Sequence, residues 1–229
     1  MGTKQFDTMQ DEVKLALGQR SDLSNLLDDW VNDAYIRLTT ANNFWGMKVN
    51  AYFPTLEIES SAINTSDGTA CISTPSDCLF IRHVWDSTND VKLTKMSWAQ
   101  YVAKTGRADS DSEDKPTEWV RHADDTKGSD KIYLYPTPDA TYAMKVYYRA
   151  IPAVLTGTDT TVIGSEWDEA IVTLACVIGS LRLRDFEAAE VFKKEFKDII
   201  RGLAGVYYQE DLDKDDYIKP SPAYLDFEY

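Results

Sequence analysis

Hydrophobic positions along the chain follow two different periods. Between about Asp22 and Asn42, Leu23, Leu26, Leu27, Trp30, Val31, Ala34, Tyr35 and Leu38 recur at i, i+3, i+4 and i+7. This spacing predicts an amphipathic helix with a wide apolar stripe. Ser21 or Asp22 is placed to cap it. Ahead of it, Met9, Val13 and Leu17 predict a shorter helix over residues 7–17, ended by Gly18.

From about residue 49 to 150 the period falls to two. Leu56 and Ile58 alternate with Glu57 and Glu59, so one sheet face is dry and the other wet. Asn64 to Gly68 carries turn chemistry, and Ala70–Ser73 and Leu79–Trp85 read as short strands. Ser97 to Lys104 predicts a short helix over the sheet. Lys131–Tyr135 and Thr141–Arg149, joined through Pro-Thr-Pro-Asp, predict a hairpin. In its second arm Tyr142, Met144, Val146 and Tyr148 share one face.

Helical spacing then returns. Ser165 with Asp168 reads as a capping box opening a helix to about Leu183, with Trp167, Ala170, Ile171, Leu174, Ala175, Ile178 and Leu181 on its stripe. A further helix over 185–204 places Phe186, Ala189, Phe192, Phe196, Ile199, Ile200 and Leu203 inward. The simplest partners for these stripes are one another. The expected fold class is therefore α+β, mainly α. A helical bundle from the N- and C-terminal helices carries a β-rich insertion, and an extended C-terminal arm follows. The expected division is 1–46 and 156–205 for the bundle helices, 47–155 for the insertion and 206–229 for the arm. Leu27, Trp30, Tyr35, Trp167, Leu174 and Phe196 are the expected core.

The arm is compositionally odd. Residues 206–229 hold seven acids against two lysines, yet Tyr207, Tyr208, Tyr217, Tyr224, Phe227 and Tyr229 make a quarter of them aromatic. A solvated tail has no use for so many rings, so these six are candidate partner-binding residues.

Charge narrows the function classes. The 24 Lys and Arg against 38 Asp and Glu give −14 over 229 residues, a length suited to one large domain or one domain with an insertion. Such acidity argues against coating duplex DNA or lying on an anionic membrane. The start is polar without an apolar signal core, and Phe6 stands where a myristoylation motif wants Ser or Thr. The longest apolar stretch, Ala170–Gly179, is about half a membrane span. Cys71, Cys78 and Cys176 form no CxxC pair and read as reduced thiols. These features lead to the expectation of a soluble product of a reducing cytoplasm.

Catalytic signals are thin. His83 and His122 are the two histidines, and neither a Gly-x-Ser-x-Gly elbow nor a phosphate loop occurs. Asp109, Asp111 and Glu113 imitate a calcium loop, but Asp114 replaces its glycine and Val120 its bidentate glutamate. Asp211, Asp213 and Asp215 fail in the same way, at Asp216 and Pro222. No metal, cofactor or catalytic residue is assigned. Carboxylate pairs and six tryptophans leave a glycoside hydrolase or a carbohydrate-binding module as alternatives. Trp30 and Trp167 sit on helix stripes, whereas Trp45, Trp85 and Trp119 are less constrained.

The order of elements carries more than any single motif. The two leading helices are followed by Tyr52–Glu59, Thr-Pro-Ser-Asp at 74–77 and Pro116–Val120. Ile-Tyr-Leu-Tyr-Pro-Thr-Pro-Asp at 132–139, Lys145–Pro152 and the helix pair opened by Trp167 complete the series. Over residues 5–205 this resembles the head-to-tail adaptor (connector, or head completion) proteins of tailed double-stranded DNA bacteriophages. The aromatic arm is a departure. The resemblance implies a non-enzymatic virion protein at the head–tail junction, assembled in the host cytoplasm. It implies a ring, typically of twelve copies, beneath the portal protein, docking the tail nozzle or tube protein. Neighbouring copies are then partners, DNA passes through the channel without sequence-specific binding, and no membrane is involved.

Overall fold

The computed structural model describes residues 3–19, 21–41, 43–47, 49, 51–106, 113–123 and 130–210. Five helices occur in it: α1 (Phe6–Ala16), α2 (Ser24–Thr39), α3 (Trp98–Thr105), α4 (Asp168–Arg182) and α5 (Phe186–Glu210). The early strands are β1 (Glu57–Glu59), β2 (Ile63–Asn64), β3 (Cys71–Ser73), β4 (Cys78–Asp86), β5 (Val91–Lys92) and β6 (Thr94–Lys95). Three more follow α3: β7 (Glu118–Ala123), β8 (Asp130–Tyr135) and β9 (Ala143–Ala150). The chain forms two compact units, a helical one from residues 1–55 and 152–229 and a sheet one from 56–151.

In the helical unit the stripes of α1, α2, α4 and α5 cover one another. Phe6, Met9, Val13, Leu27, Trp30, Tyr35, Leu174 and Phe196 are all buried there. The fit between α1, α2 and α4 depends on Gly179. A Cβ there would stand 2.8 Å from Leu17 Cδ1 and from the Trp30 ring, so the missing side chain admits the indole. Phe53 packs edge-on against Trp167 at 5.0 Å. α2 starts behind a 3-10 turn, Ser21–Leu23, with no side-chain cap, and α4 likewise starts behind Ser165–Trp167. The Asp168 carboxylate, expected to close a capping box with Ser165, is engaged elsewhere. Asp168 is instead buried, accepting from the Lys4 amide (2.7 Å) and the Thr161 hydroxyl (3.1 Å).

In the sheet unit two sheets face each other. One has the order β1-β9-β4-β5, with β2 also on β9, and the other has the order β3-β8-β7-β6. Between them lie Ile72, Val84, Trp119, Ile132, Leu134, Met144, Val146 and Tyr148. The period of two along a strand sets this: Trp119 and Leu134 are register partners facing inward, and Val120 and Tyr133, the next pair, face outward under α3.

Three expectations are corrected. The 131–135 and 141–149 segments are not a hairpin: β8 pairs with β3 and β7, and β9 pairs with β1, β2 and β4. Alternation reports which face is dry, and both strands present dry faces to one interior from opposite sheets. The mainly α, helical-bundle fold class is also overturned. The protein is mixed α+β, with 26% strand against 41% helix and two sheets that own a core. Strands of two or three residues carry too little period to be counted in a sequence. The C-terminal arm is not extended from residue 206, because α5 runs on to Glu210 through Gly202 and Gly205. Interior glycine costs a helix only about 1 kcal/mol, too little to end it.

Candidate functional surfaces

Residues 152–164 have almost no regular structure, yet they are tied down strand-fashion. Asn32 on α2, itself buried, donates through Nδ2 to the Leu155 carbonyl (3.0 Å) and accepts at Oδ1 from the Leu155 amide (2.8 Å). The Val162 amide donates to the Tyr35 hydroxyl (3.2 Å), and burial pushes that phenol's pKa up. The segment also returns a service to α1. Asp159 and Gly157 carbonyls accept from the Phe6 and Asp7 amides at 2.8 and 3.1 Å, satisfying donors no side chain caps. Tyr35, Ala153, Val154, Leu155, Asp159 and Val162 border an open cavity of about 480 Å³. Val154 and Val162 there are 59% and 49% exposed, beside the polar Thr158 and Thr160.

The sheet unit presents an aromatic face. Ser97 and Gln100 form a reciprocal capping box that starts α3. The helix then lays Trp98 flat on His122 at 3.7 Å and beside Tyr101 at 5.1 Å, with Tyr133 edge-on at 5.2 Å. Lys104 sits over the Tyr135 ring at 4.8 Å and pairs with Glu118. On the other sheet His83 stacks on Tyr147 at 4.3 Å, and burial followed by the nearby Lys92 charge lowers its pKa.

Among the described residues, neither histidine is joined to a nucleophile or a carboxylate in a catalytic dyad. His122 Nδ1 meets the Ala123 carbonyl at 2.7 Å, and His83 lies on its tyrosine. The described residues contain no group of His, Cys, Asp and Glu that could hold a metal ion. The three cysteines are free, and burial pushes the Cys176 thiol up to about 12. Asp109 and Asp111 of the first calcium-like run, and the whole of the second, lie outside the described residues. No helix among the described residues is long and apolar enough to cross a membrane.

The core residues singled out in the sequence, Leu27, Trp30, Tyr35, Trp167, Leu174 and Phe196, are all buried in the helical unit. Tyr207 and Tyr208 lie in the last turns of α5. Tyr217, Tyr224, Phe227 and Tyr229 lie outside the described residues. Phe186, expected to face inward, is 61% exposed at the start of α5. Asn32 was missed: its only signal is a short amide set among Val31, Ala34 and Tyr35 on the apolar side of α2. The Trp98–His122 stack had none, since it joins residues 24 positions apart in sequence (122 − 98).

A mixed α+β chain of two units, whose described residues offer apolar and aromatic surfaces rather than a reaction centre, has the makings of an assembly protein. The family model of the SU10 adaptor protein matches residues 4–220, and the chain belongs to that family of phage head-to-tail adaptors. It is thereby a structural phage adaptor and a component of the virion. No curated protein matches the chain.

Proposed function

We propose that the protein assembles as a closed ring of copies beneath the portal, extends the DNA channel and provides the docking surface for the tail. The observation that carries this is the family match over nearly the whole chain, residues 4–220. The net charge of −14 supports it, because channel walls that repel phosphate let DNA slide instead of sticking. Assembly takes place in the host cytoplasm, and DNA is met without sequence readout. The aromatic and acidic residues from Tyr207 to Tyr229 anchor the chain on the portal or on a neighbouring copy. Tyrosines supply that anchorage at low entropic cost, and the acids steer it.

The test is a phage carrying a disrupted copy of this gene. Its heads should package DNA and fail to acquire tails, with purified protein restoring tail attachment. Tailed, infectious particles that lack the protein would overturn the reading. The arm is tested with a chain ending at Glu210. This chain should melt like the full one and bind portal-bearing heads more weakly, and equal binding would remove residues 211–229 from the mechanism.

A further inference from the structure

The chain ends on a strand-like pattern. Leu225, Phe227 and Tyr229 alternate with Asp226 and Glu228, a period of two with one apolar and one acidic face. The chain uses the same pattern at Leu56-Glu57-Ile58-Glu59, and there the last three residues form β1 at the edge of a sheet. The two acids of β1 are matched to cations of that sheet: Glu57 pairs with Arg82 at 2.8 Å, and Glu59 pairs with Lys145. Residues 225–229 lie outside the described residues, and 14 residues (224 − 210) separate them from the end of α5. Fully extended, that length spans at most about 50 Å, and Pro220 and Pro222 favour extension.

An open edge of matching chemistry lies on the other sheet. β3 ends the order β3-β8-β7-β6, so among the described residues its far side pairs with no strand. Its ladder bonds to β8 fall on alternate residues: the Ala70 carbonyl accepts from the Leu134 amide, and the Thr74 amide donates to the Asp130 carbonyl. The main-chain groups of Cys71 and Ser73 therefore turn to the open edge. Ile72 between them points into the core at 4% exposure, whereas Ser73 is exposed and Cys71 half-buried. Lys131, the register partner of Ser73, brings its amine to 3.4 Å from the Ser73 hydroxyl. That partner is neutral, and the neighbouring Asp130 is engaged by Arg121.

We infer that residues 225–229 of a neighbouring copy pair antiparallel with β3 along this edge. Phe227 stands opposite Ile72 and extends the apolar layer. That register sets Asp226 opposite Ser73, beside the Lys131 amine, and Glu228 opposite Cys71. Sheet extension of this kind takes its affinity from main-chain hydrogen bonds and its specificity from alternate side chains. The edge at β1 is the wrong one: the same facing would put Asp226 and Glu228 against Glu57 and Glu59, and like charges across strands repel. This rests on the ring reading and deepens it. A tail on one copy and an edge on the next are different surfaces, so the contact is heterologous, the kind that closes into rings. It also covers an edge that would otherwise be a template for unplanned pairing.

The experiment uses the chain's own Cys71 as one half of a cross-link. Opposite residues of a hydrogen-bonded pair stand about 5.5 Å apart between Cα atoms, within disulfide reach. Virions carrying Glu228→Cys, oxidised and resolved without reductant, should yield a ladder of covalent multimers, with the bond mapped to 71–228 by peptide mass spectrometry. Phe227→Cys faces the other side of the strand and should bond about tenfold less. Adding Lys131→Glu to the Glu228→Cys chain should slow bonding by about tenfold. If the Glu228→Cys phage forms no particles, purified full chains replace it: Glu228→Cys with Cys71→Ser, mixed at high concentration with the natural chain, should join to it through 71–228. A 71–228 bond confined to single chains, a tail bonded to the portal, equal bonding from 227 and 228, indifference to Lys131→Glu, or absence of the bond would overturn the contact. The copy number per virion separates the two readings. Several copies without the 71–228 bond remove this contact alone, and a single copy removes the ring.

Discussion

Asn32 is the point at which one substitution should unfasten the irregular segment from the helices. Its amide exchanges two hydrogen bonds with the backbone of Leu155, which is 6% exposed, and a third with the Asp28 carbonyl at 3.0 Å. Replacing Asn32 by Ala leaves the Leu155 amide and carbonyl buried without partners, at about 1–3 kcal/mol each. The expected loss is about 2–6 kcal/mol, a fall in melting temperature of roughly 4–24 °C for a chain of this size. Asn32→Asp sharpens the test. A carboxylate can still accept from the Leu155 amide, but it confronts the carbonyls of Leu155 and Asp28. Its folded-state pKa must therefore rise above the unfolded value of about 3.9. Below that value the acid is protonated in both states and can donate as the amide did. As pH rises the unfolded chain releases the proton first, so the penalty grows until the folded pKa is passed. Melts of both variants from pH 4 to 7, with hydrogen exchange at Leu155, read this directly. If Asn32→Ala costs under about 1 kcal/mol, or if Asn32→Asp is indifferent to pH, the segment is not held by this amide.

Asp168 should behave in the same direction in the parent protein: burial raises its pKa, outweighing the bonds from Lys4 and Thr161. Stability on its account is full below the ordinary carboxylate value and declines as pH rises through the folded pKa, so Asp168→Asn should flatten the melting profile there. Trp30→Ala should cost about 3–5 kcal/mol by denaturant titration, because the ring fills the space Gly179 leaves between helices. A loss under about 1 kcal/mol would mean the neighbours close the gap. Cys176, 2% exposed with its thiol pushed up to about 12, should stay unlabelled by a thiol reagent in the folded protein and react on unfolding.

Much of the helical unit is legible because its information is local. Leu27, Trp30, Val31 and Tyr35 declare a buried face through spacing alone, and the structure buries them. The sheet unit is legible only to the level of faces. Met144, Val146 and Tyr148 read as one dry side, yet nothing in that alternation says that β9 pairs with β4 rather than with β8. Strands such as Ile63–Asn64 are too short to register, which is why the chain read as mainly α. The 152–164 segment was opaque for a different reason. Its order comes from Asn32, Tyr35 and two amides of α1, all more than 100 residues away in sequence. Exposed Phe186 fell on the wrong side of the α5 stripe because the first turn of a helix can overhang the core it leads to.

The helical unit is made from the two ends of the chain, with the entire sheet unit between them. On a ribosome adding about 5–20 residues per second, α1 and α2 emerge and then wait roughly 7–30 s for α4. Throughout that interval Trp30 and Tyr35 lack the face of α4, while the sheet unit receives its last strand, β9, before α4 begins. Maturation therefore has a fixed clock: the surfaces placed on the helical unit cannot exist on an unfinished chain. A subunit whose synthesis stops before α4 therefore lacks the helical surfaces, whatever state its sheet unit has reached.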